Sequence, residues 1–180
     1  ASAIIQRTKK VRVALLGPLV PLNNPVRLAE EVAMLDALSG GRLEVLFLRG
    51  TPNEHKTYGT PADKTKQMTQ EGIDLILKAW TTEKPFGWEG EQYQFETISI
   101  WPRITQQPHP PVFGSGNSED SVVFAAKRRI GIAFSFAAPE TVRDWIALYR
   151  AECAKEGWEP TPDHVIYRGI AYCAPTDEQA

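Results

Sequence analysis

Cysteine and histidine are scarce in this chain, and each shortage removes a class of function. Of its 180 residues two are cysteines, Cys153 and Cys173, and they do not form a CxxC pair. That pattern excludes a disulfide-stapled scaffold and a dithiol redox motif, and it reads as two reduced thiols, in the core or on the surface of a cytoplasmic protein. The three histidines, His55, His109 and His164, lack metal-ligand spacing, so no metal is expected. No apolar run approaches the roughly 20 residues that cross a bilayer. The N-terminus lacks a signal-peptide layout. Charge is almost balanced, with 20 Lys and Arg against 22 Asp and Glu. Bulk electrostatics therefore offers nothing to nucleic acid or an anionic membrane. The apolar fraction is 42% and the charged fraction 23%, as in a globular chain with one core.

The most ordered stretch is Pro25 to Gly50. Pro25 suits a first helical turn. Leu28, Val32 and Leu35 recur at i, i+4 and i+7, with Ala29 and Ala33 beside them, while Arg27, Glu30 and Glu31 fall opposite. This is an amphipathic helix over an apolar layer. Ser39-Gly40-Gly41 stops it. Leu43 to Leu48 is nearly all apolar, as expected of a strand covered on both faces in a parallel sheet. Arg49-Gly50 then falls at the strand's carboxyl end, where α/β folds bind ligands.

The remaining chain continues the rhythm. Val11–Leu16 reads as a strand after a basic helix end. Residues 50–61 read as a polar loop, and Asp63–Trp80 as a helix with Asp63 as its cap. Residues 85–103 break the rhythm: Trp88, Tyr93, Phe95 and Trp101 surround a Glu89-Gly90-Glu91 turn, a hairpin-like excursion. With the proline linker 106–111 they make an insertion over 85–111. Beyond it come a strand at Val112-Phe113, a helix over Glu119–Arg129, a strand over Ile132–Phe136, a helix over Pro139–Glu156 and a strand over Val165–Tyr172. Five strands with long crossovers imply parallel βα units. An open doubly wound sheet and part of a (β/α)8 barrel both satisfy this. The helix-like start and the helix-start signal at Thr176-Asp177-Glu178 lead to the expectation of a fragment, lacking the first strands and the C-terminal part of a longer protein.

Three segments carry candidate chemistry. Gly114-Ser115-Gly116-Asn117-Ser118 joins a strand to a helix N-terminus, where backbone amides and the helix dipole favour an anion such as a phosphate monoester. The GxGxxG fingerprint is not completed, because Glu119 holds the third glycine position. The bland alternative is a capped βα turn. Arg49 is a cation at a buried strand's tip, either paired with Glu54 or facing a ligand. His55, with Glu54 and Tyr58 nearby, is a weak candidate acid/base. The aromatic excursion walls an apolar substrate pocket or forms a satellite core or dimer contact.

The run RLAEEVAMLDALSGGRLEVLFLRG resembles a characteristic segment of the bacterial luciferase-like flavin-dependent monooxygenases, and the likeness extends over essentially the whole chain. The resemblance implies a partial TIM barrel forming a single domain over residues 1–180. It implies an enzyme that uses reduced FMN and O2 to oxygenate a small organic substrate, with a flavin reductase as a further partner and a homo-oligomer, a dimer, as its state. On this chain it places the flavin phosphate at Ser115, Gly116, Asn117 and Ser118, and Arg49 and Gly50 beside the ring. Two alternatives remain: a deazaflavin coenzyme with hydride transfer on the same fold, and a truncated scaffold that binds without turnover.

Overall fold

The computed structural model describes residues 1–180 as two compact units, Ala1–Val112 and Phe113–Ala180. In the first unit the order is α1 (Ser2–Arg7), β1 (Val13–Leu19), α2 (Pro25–Ser39), β2 (Leu43–Leu48), α3 (Pro52–Thr57), α4 (Thr65–Thr81), β3 (Phe86–Glu89) and β4 (Gln94–Ile98). Strands β1 and β2 run parallel, with Val13 opposite Leu43 and Leu15 opposite Val45. Strands β3 and β4 are the antiparallel hairpin expected from the aromatic stretch.

Helix α2 begins where its sequence says it should. The Asn24 side chain accepts hydrogen bonds from the Val26 and Arg27 amides at 2.9 and 3.3 Å, a side-chain N-cap. Leu28, Ala29, Val32 and Ala33 are buried beneath it. Gly40 ends it at φ 65, the left-handed C-cap that glycine adopts without strain. Trp80 of α4 stacks on Phe47 of β2 with ring centroids 6.1 Å apart, and its indole N–H donates to the Ala29 carbonyl at 3.0 Å. One side chain thus ties α4 to both α2 and β2.

The LSGGR turn is a hydrogen-bond junction. Asp36 is fully buried. Its Oδ2 accepts from the Thr105 and Gln106 amides at 2.7 and 2.9 Å, and its Oδ1 from the Gln106 side chain at 2.7 Å. That same Gln106 amide also donates to the Leu43 carbonyl at 2.8 Å. A Cβ on Gly41 would meet Gln106 Cγ at 3.3 Å, so the second glycine makes room for this side chain. Arg42 uses all three guanidinium nitrogens: on the carbonyls of Ser39, Val11, Ile5 and Thr8, and on the Thr8 hydroxyl. It closes the end of α1, where helix carbonyls lack partners.

The second unit carries β5 (Val112–Ser115), which begins at its boundary, α5 (Glu119–Lys127), β6 (Gly131–Ser135), α6 (Pro139–Lys155) and β7 (Val165–Arg168). Strand β6 pairs in parallel with β5 and with β7, setting Ser115 opposite Ala133 and Ser135 opposite Arg168. Val122, Ala125 and Ala126 of α5 and Val142, Tyr149 and Cys153 of α6 are buried. The Tyr149 hydroxyl donates to the Ile130 carbonyl at 2.7 Å. Cys153 and Cys173 are both free, one buried and one exposed, and burial pushes the Cys153 thiol up to about 11. The alternating, parallel βα order is that of an α/β fold and of part of a (β/α)8 barrel.

Several expectations are corrected. The first strand is Val13–Leu19, not Val11–Leu16; Val11 is 58% exposed, and the chain stays extended through Gly17-Pro18. The stretch 50–61 is not simply a loop. Thr51-Pro52-Asn53-Glu54 is a capping box with Pro at the first helical turn, and it nucleates α3. Asp63 does not cap α4, whose N-cap is Lys64 without a side-chain bond. Gly114 and Ser115 lie inside β5 rather than after it, Phe136 lies outside β6, and β7 stops at Arg168.

Asp36→Ala is expected to destabilise the chain by about 3 kcal/mol or more, because three donors lose a buried carboxylate. Urea unfolding measures it; a loss under about 1 kcal/mol would contradict the anchoring role.

Candidate functional site

At the carboxyl end of β2 the chain turns at Gly50, whose φ of 93 is glycine territory. His55, from α3, reaches back under this turn. The residue is only 5% exposed, and Nε2 lies 3.0 Å from the Arg49 carbonyl oxygen. A carbonyl can only accept, so Nε2 carries the proton. His55 therefore lies buried on α3 and not in a loop, and the nitrogen bonded here serves the turn. Glu54 does not pair with Arg49. Its Oε2 accepts from the Thr51 amide at 2.7 Å and the Thr51 hydroxyl at 2.8 Å. Those bonds, the amide first, hold the Glu54 carboxyl below its usual value. Arg49 is left as an exposed cation at the strand's carboxyl end.

The second sequence candidate, 114–118, divides into structural and available parts. The Gly116 amide donates to the Ala133 carbonyl at 2.9 Å, and a Cβ on Gly116 would strike the Phe134 ring at 2.6 Å. Gly116 therefore serves strand pairing and packing; its expected free N–H is used. Ser118 is the N-cap of α5. Its hydroxyl accepts from the Ser121 amide at 3.3 Å and sits 2.6 Å from the Ser121 hydroxyl. Ser115 is half-buried and Asn117 exposed. Together with the positive end of the α5 dipole, the Ser115 and Asn117 side chains are donors suited to an anion, while the Ser121 amide is taken by the Ser118 cap. Glu119 and Asp120 occupy the same turn and are exposed.

Two residues that sequence reasoning missed complete this edge. Phe136 follows β6 with φ 58, a left-handed value on a non-glycine residue. Arg168 ends β7 with its guanidinium 4.7 Å from the centre of the Phe136 ring. The only trace in the sequence is the aromatic just before Ala137-Ala138-Pro139.

In the first unit, Glu71 of α4 clamps the hairpin. Its carboxylate accepts from the Trp88 indole at 3.1 Å and from the Gln92 and Tyr93 amides at 2.9 Å each. Trp88, Tyr93 and Phe95 are half-buried, whereas Trp101 is exposed. The buried Tyr93 hydroxyl has no hydrogen-bond partner, and its pKa is pushed up to about 12 by burial and then by the Glu71 charge. A groove of about 340 Å³ along α6, lined by Val142, Arg143, Ile146, Arg150 and Tyr167 among others, shares no residue with the predicted site. No group of His, Cys, Asp and Glu has a metal-binding arrangement.

The whole chain, residues 1–180, matches the profile of the luciferase-like monooxygenases. The chain belongs to that family. It is 27% identical to the oxygenase component of a flavin-dependent trigonelline monooxygenase from Acinetobacter baylyi, over 98% of this chain and 50% of the relative. It is 29% identical to an FMNH2-dependent dimethylsulfone monooxygenase from Pseudomonas putida, over 86% of this chain and 43% of the relative. Among solved structures, the monooxygenase RslO1 from Streptomyces bottropensis superimposes with a TM-score of 0.90 at 28% identity, covering 99% of this chain and 55% of that one. An F420-dependent secondary alcohol dehydrogenase shares the fold, with a TM-score of 0.78 at 21% identity over 92% of this chain and 50% of that one. The chain spans about half or less of the length of the curated relatives it matches, 39 to 50% for the first three.

The depressed Glu54 carboxyl fixes a sign. The capping it supplies to α3 is full above the ordinary value of 4.5 and is lost as pH falls through the lower folded value. Amide protection factors at residues 53–57, taken relative to intrinsic exchange at each pH, are expected to fall on acidification in the native chain. In Glu54→Gln this pH dependence disappears; an unchanged acid response would assign it to another group.

Proposed function

We propose that this chain is the flavin-holding portion of a flavin-dependent monooxygenase that uses reduced FMN and O2 to oxygenate a small organic substrate. The observation that carries the reading is the β5–α5 turn. Its hydroxyl, side-chain amide and helix-start N–H groups form a donor set matched to a phosphate monoester. Ser115, Asn117 and the amides around Ser118 would hold the phosphate, with Gly116 keeping the turn close to β6. Arg49 and Gly50 would lie against the flavin as a cation and a bare backbone, and His55 would act as a positioning residue by pinning the Arg49 carbonyl. Reduced flavin supplies the electrons for oxygen chemistry when bound; the residues here bind, orient and shield it.

The name of the FMNH2-dependent dimethylsulfone relative supports reduced FMN, that of the trigonelline relative supports a flavin, and its "oxygenase component" supports a separate flavin reductase. The F420-dependent neighbour supports the second reading, a deazaflavin coenzyme with hydride transfer. Consumption of O2 with substrate distinguishes the two. We also propose one luciferase-like barrel domain over residues 1–180, with 85–111 inserted, and association with a second copy. Met34 and Leu38, one turn apart on α2 and 51% and 48% exposed, support that association. We propose a cytoplasmic setting; no helix is long and apolar enough to cross a membrane.

Fluorescence titration with FMN and riboflavin tests the assignment, because riboflavin lacks the phosphate. Ser115→Ala and Asn117→Ala are each expected to weaken FMN by about tenfold, near 1.4 kcal/mol, and to leave riboflavin unchanged. Ser118→Ala is expected to cost about 1 kcal/mol of stability as well, because Ser118 caps α5. FMN binding no tighter than riboflavin would reject phosphate recognition at this turn.

A further inference from the structure

Phe136 is held in a conformation that side-chain-bearing residues avoid, with φ 58, and glycine would occupy it without strain. Burial does not explain the phenylalanine, because the residue is 61% exposed. The backbone around it is fixed from β7. The Phe136 amide donates to the Arg168 carbonyl at 2.9 Å, and the Tyr167 hydroxyl donates to the Ala137 carbonyl at 3.1 Å. The Arg168 guanidinium lies 4.7 Å from the ring centre, a cation–π contact. No carboxylate pairs with it. A backbone outlier over-determined by its surroundings, carrying an exposed ring, is the kind of strain that persists for a ligand.

The place of this pair gives it a role. In the register of the second unit Ser115 lies opposite Ala133, and Ser135 opposite Arg168. The carboxyl ends of β5, β6 and β7 therefore present, in order, the anion-binding turn, the Phe136 ring and the Arg168 guanidinium. The ring offers a flat apolar face. A guanidinium stacked on a ring keeps its N–H edge directed outward, and that edge matches a planar oxyanion in a two-point bond.

We propose that Phe136 and Arg168 are the substrate-selecting pair of this protein, favouring an organic substrate with a carboxylate or sulfonate on a flat apolar body. The inference rests on the flavin reading above and names the substrate class of that site. Phe136 sets the apolar contact and Arg168 the charge.

The test uses the full chain, with and without saturating FMN, and calorimetric titration of benzoate and benzenesulfonate against neutral benzamide. The native chain is expected to bind the two anions at least about tenfold more tightly than benzamide. Arg168→Met is expected to abolish that preference while the FMN dissociation constant stays within about threefold. Phe136→Gly is expected to weaken all three probes several-fold and to keep or raise the melting temperature, since glycine accepts the local φ. Equal binding of anion and amide by the native chain overturns the proposal, as does a preference that survives Arg168→Met. A Phe136→Gly chain that melts lower with probe binding intact assigns the ring a purely structural role. Weakened FMN with unaltered probe binding in Arg168→Met assigns the arginine to the flavin and also overturns the proposal. A native chain that shows the anion preference but binds no FMN rejects the flavin reading and keeps the pair as an organic-anion site.

Discussion

The buried Asp36 carboxylate is the constraint from which the first unit follows. A charge without solvent must be surrounded by donors. Asp36 obtains three, all from Thr105 and Gln106, some 70 positions along the chain. Satisfying it fixes where the segment after the aromatic hairpin returns. Gln106 then reaches the Leu43 carbonyl at the start of β2. Gly41 must lack a side chain for that reach, Ser39 bridges the turn, and Arg42 closes α1. A run that looks like a functional signature is thus a folding junction, with each residue type set by a contact.

The same economy appears at the strand ends. Gly50 turns the chain, and the space a Cβ would take there is filled by the His55 ring, 3.2 Å away. Thr51 and Glu54 start a helix at once, so the backbone that displays Arg49 is held by a capping box and a histidine bond. In the second unit Gly116 is fixed by the Ala133 carbonyl and the Phe134 ring, while Ser118 and Ser121 lock the start of α5. Polar groups meant for a ligand are useful only when their supports do not move.

Periodic segments were legible in the sequence. The helix over 25–39, the buried strand after LSGGR, the aromatic hairpin and the βα alternation all follow from spacing and from glycine and proline positions. The short α3 was legible in principle, since Thr51-Pro-Asn-Glu54 is a cap signature, but a polar, glycine-bounded stretch reads as a loop when composition is weighed before caps. The partners of Asp36 and Glu71 were not legible, because these bonds join residues about 20 to 70 positions apart and no local pattern encodes them. For Gly116 the structure shows a packing cause that the sequence did not: the glycine answers to Phe134 and Ala133. The φ of Phe136 had no sequence signal, since the preferred residue at such a site is glycine.

This division of labour decides what family membership means for the chain. The residues of RLAEEVAMLDALSGGRLEVLFLRG are mostly those that build α2, β2 and the Asp36 junction, so the run reports the scaffold before it reports a reaction. An F420-dependent dehydrogenase with a TM-score of 0.78 to this chain shows that the scaffold accommodates a different coenzyme. Identity of the reaction must therefore be carried by the few side chains that the scaffold displays without using them. Arg49, Ser115, Asn117, Phe136 and Arg168 meet that description. The backbones of Arg49, Ser115, Phe136 and Arg168 are fixed by hydrogen bonds, while the side chains of all five point to no structural duty that a smaller residue would fail to meet. On the proposed function, substrate and coenzyme choice would change at these positions with little effect on folding, whereas changes at Asp36, Gly41 or Arg42 would alter folding before they alter chemistry.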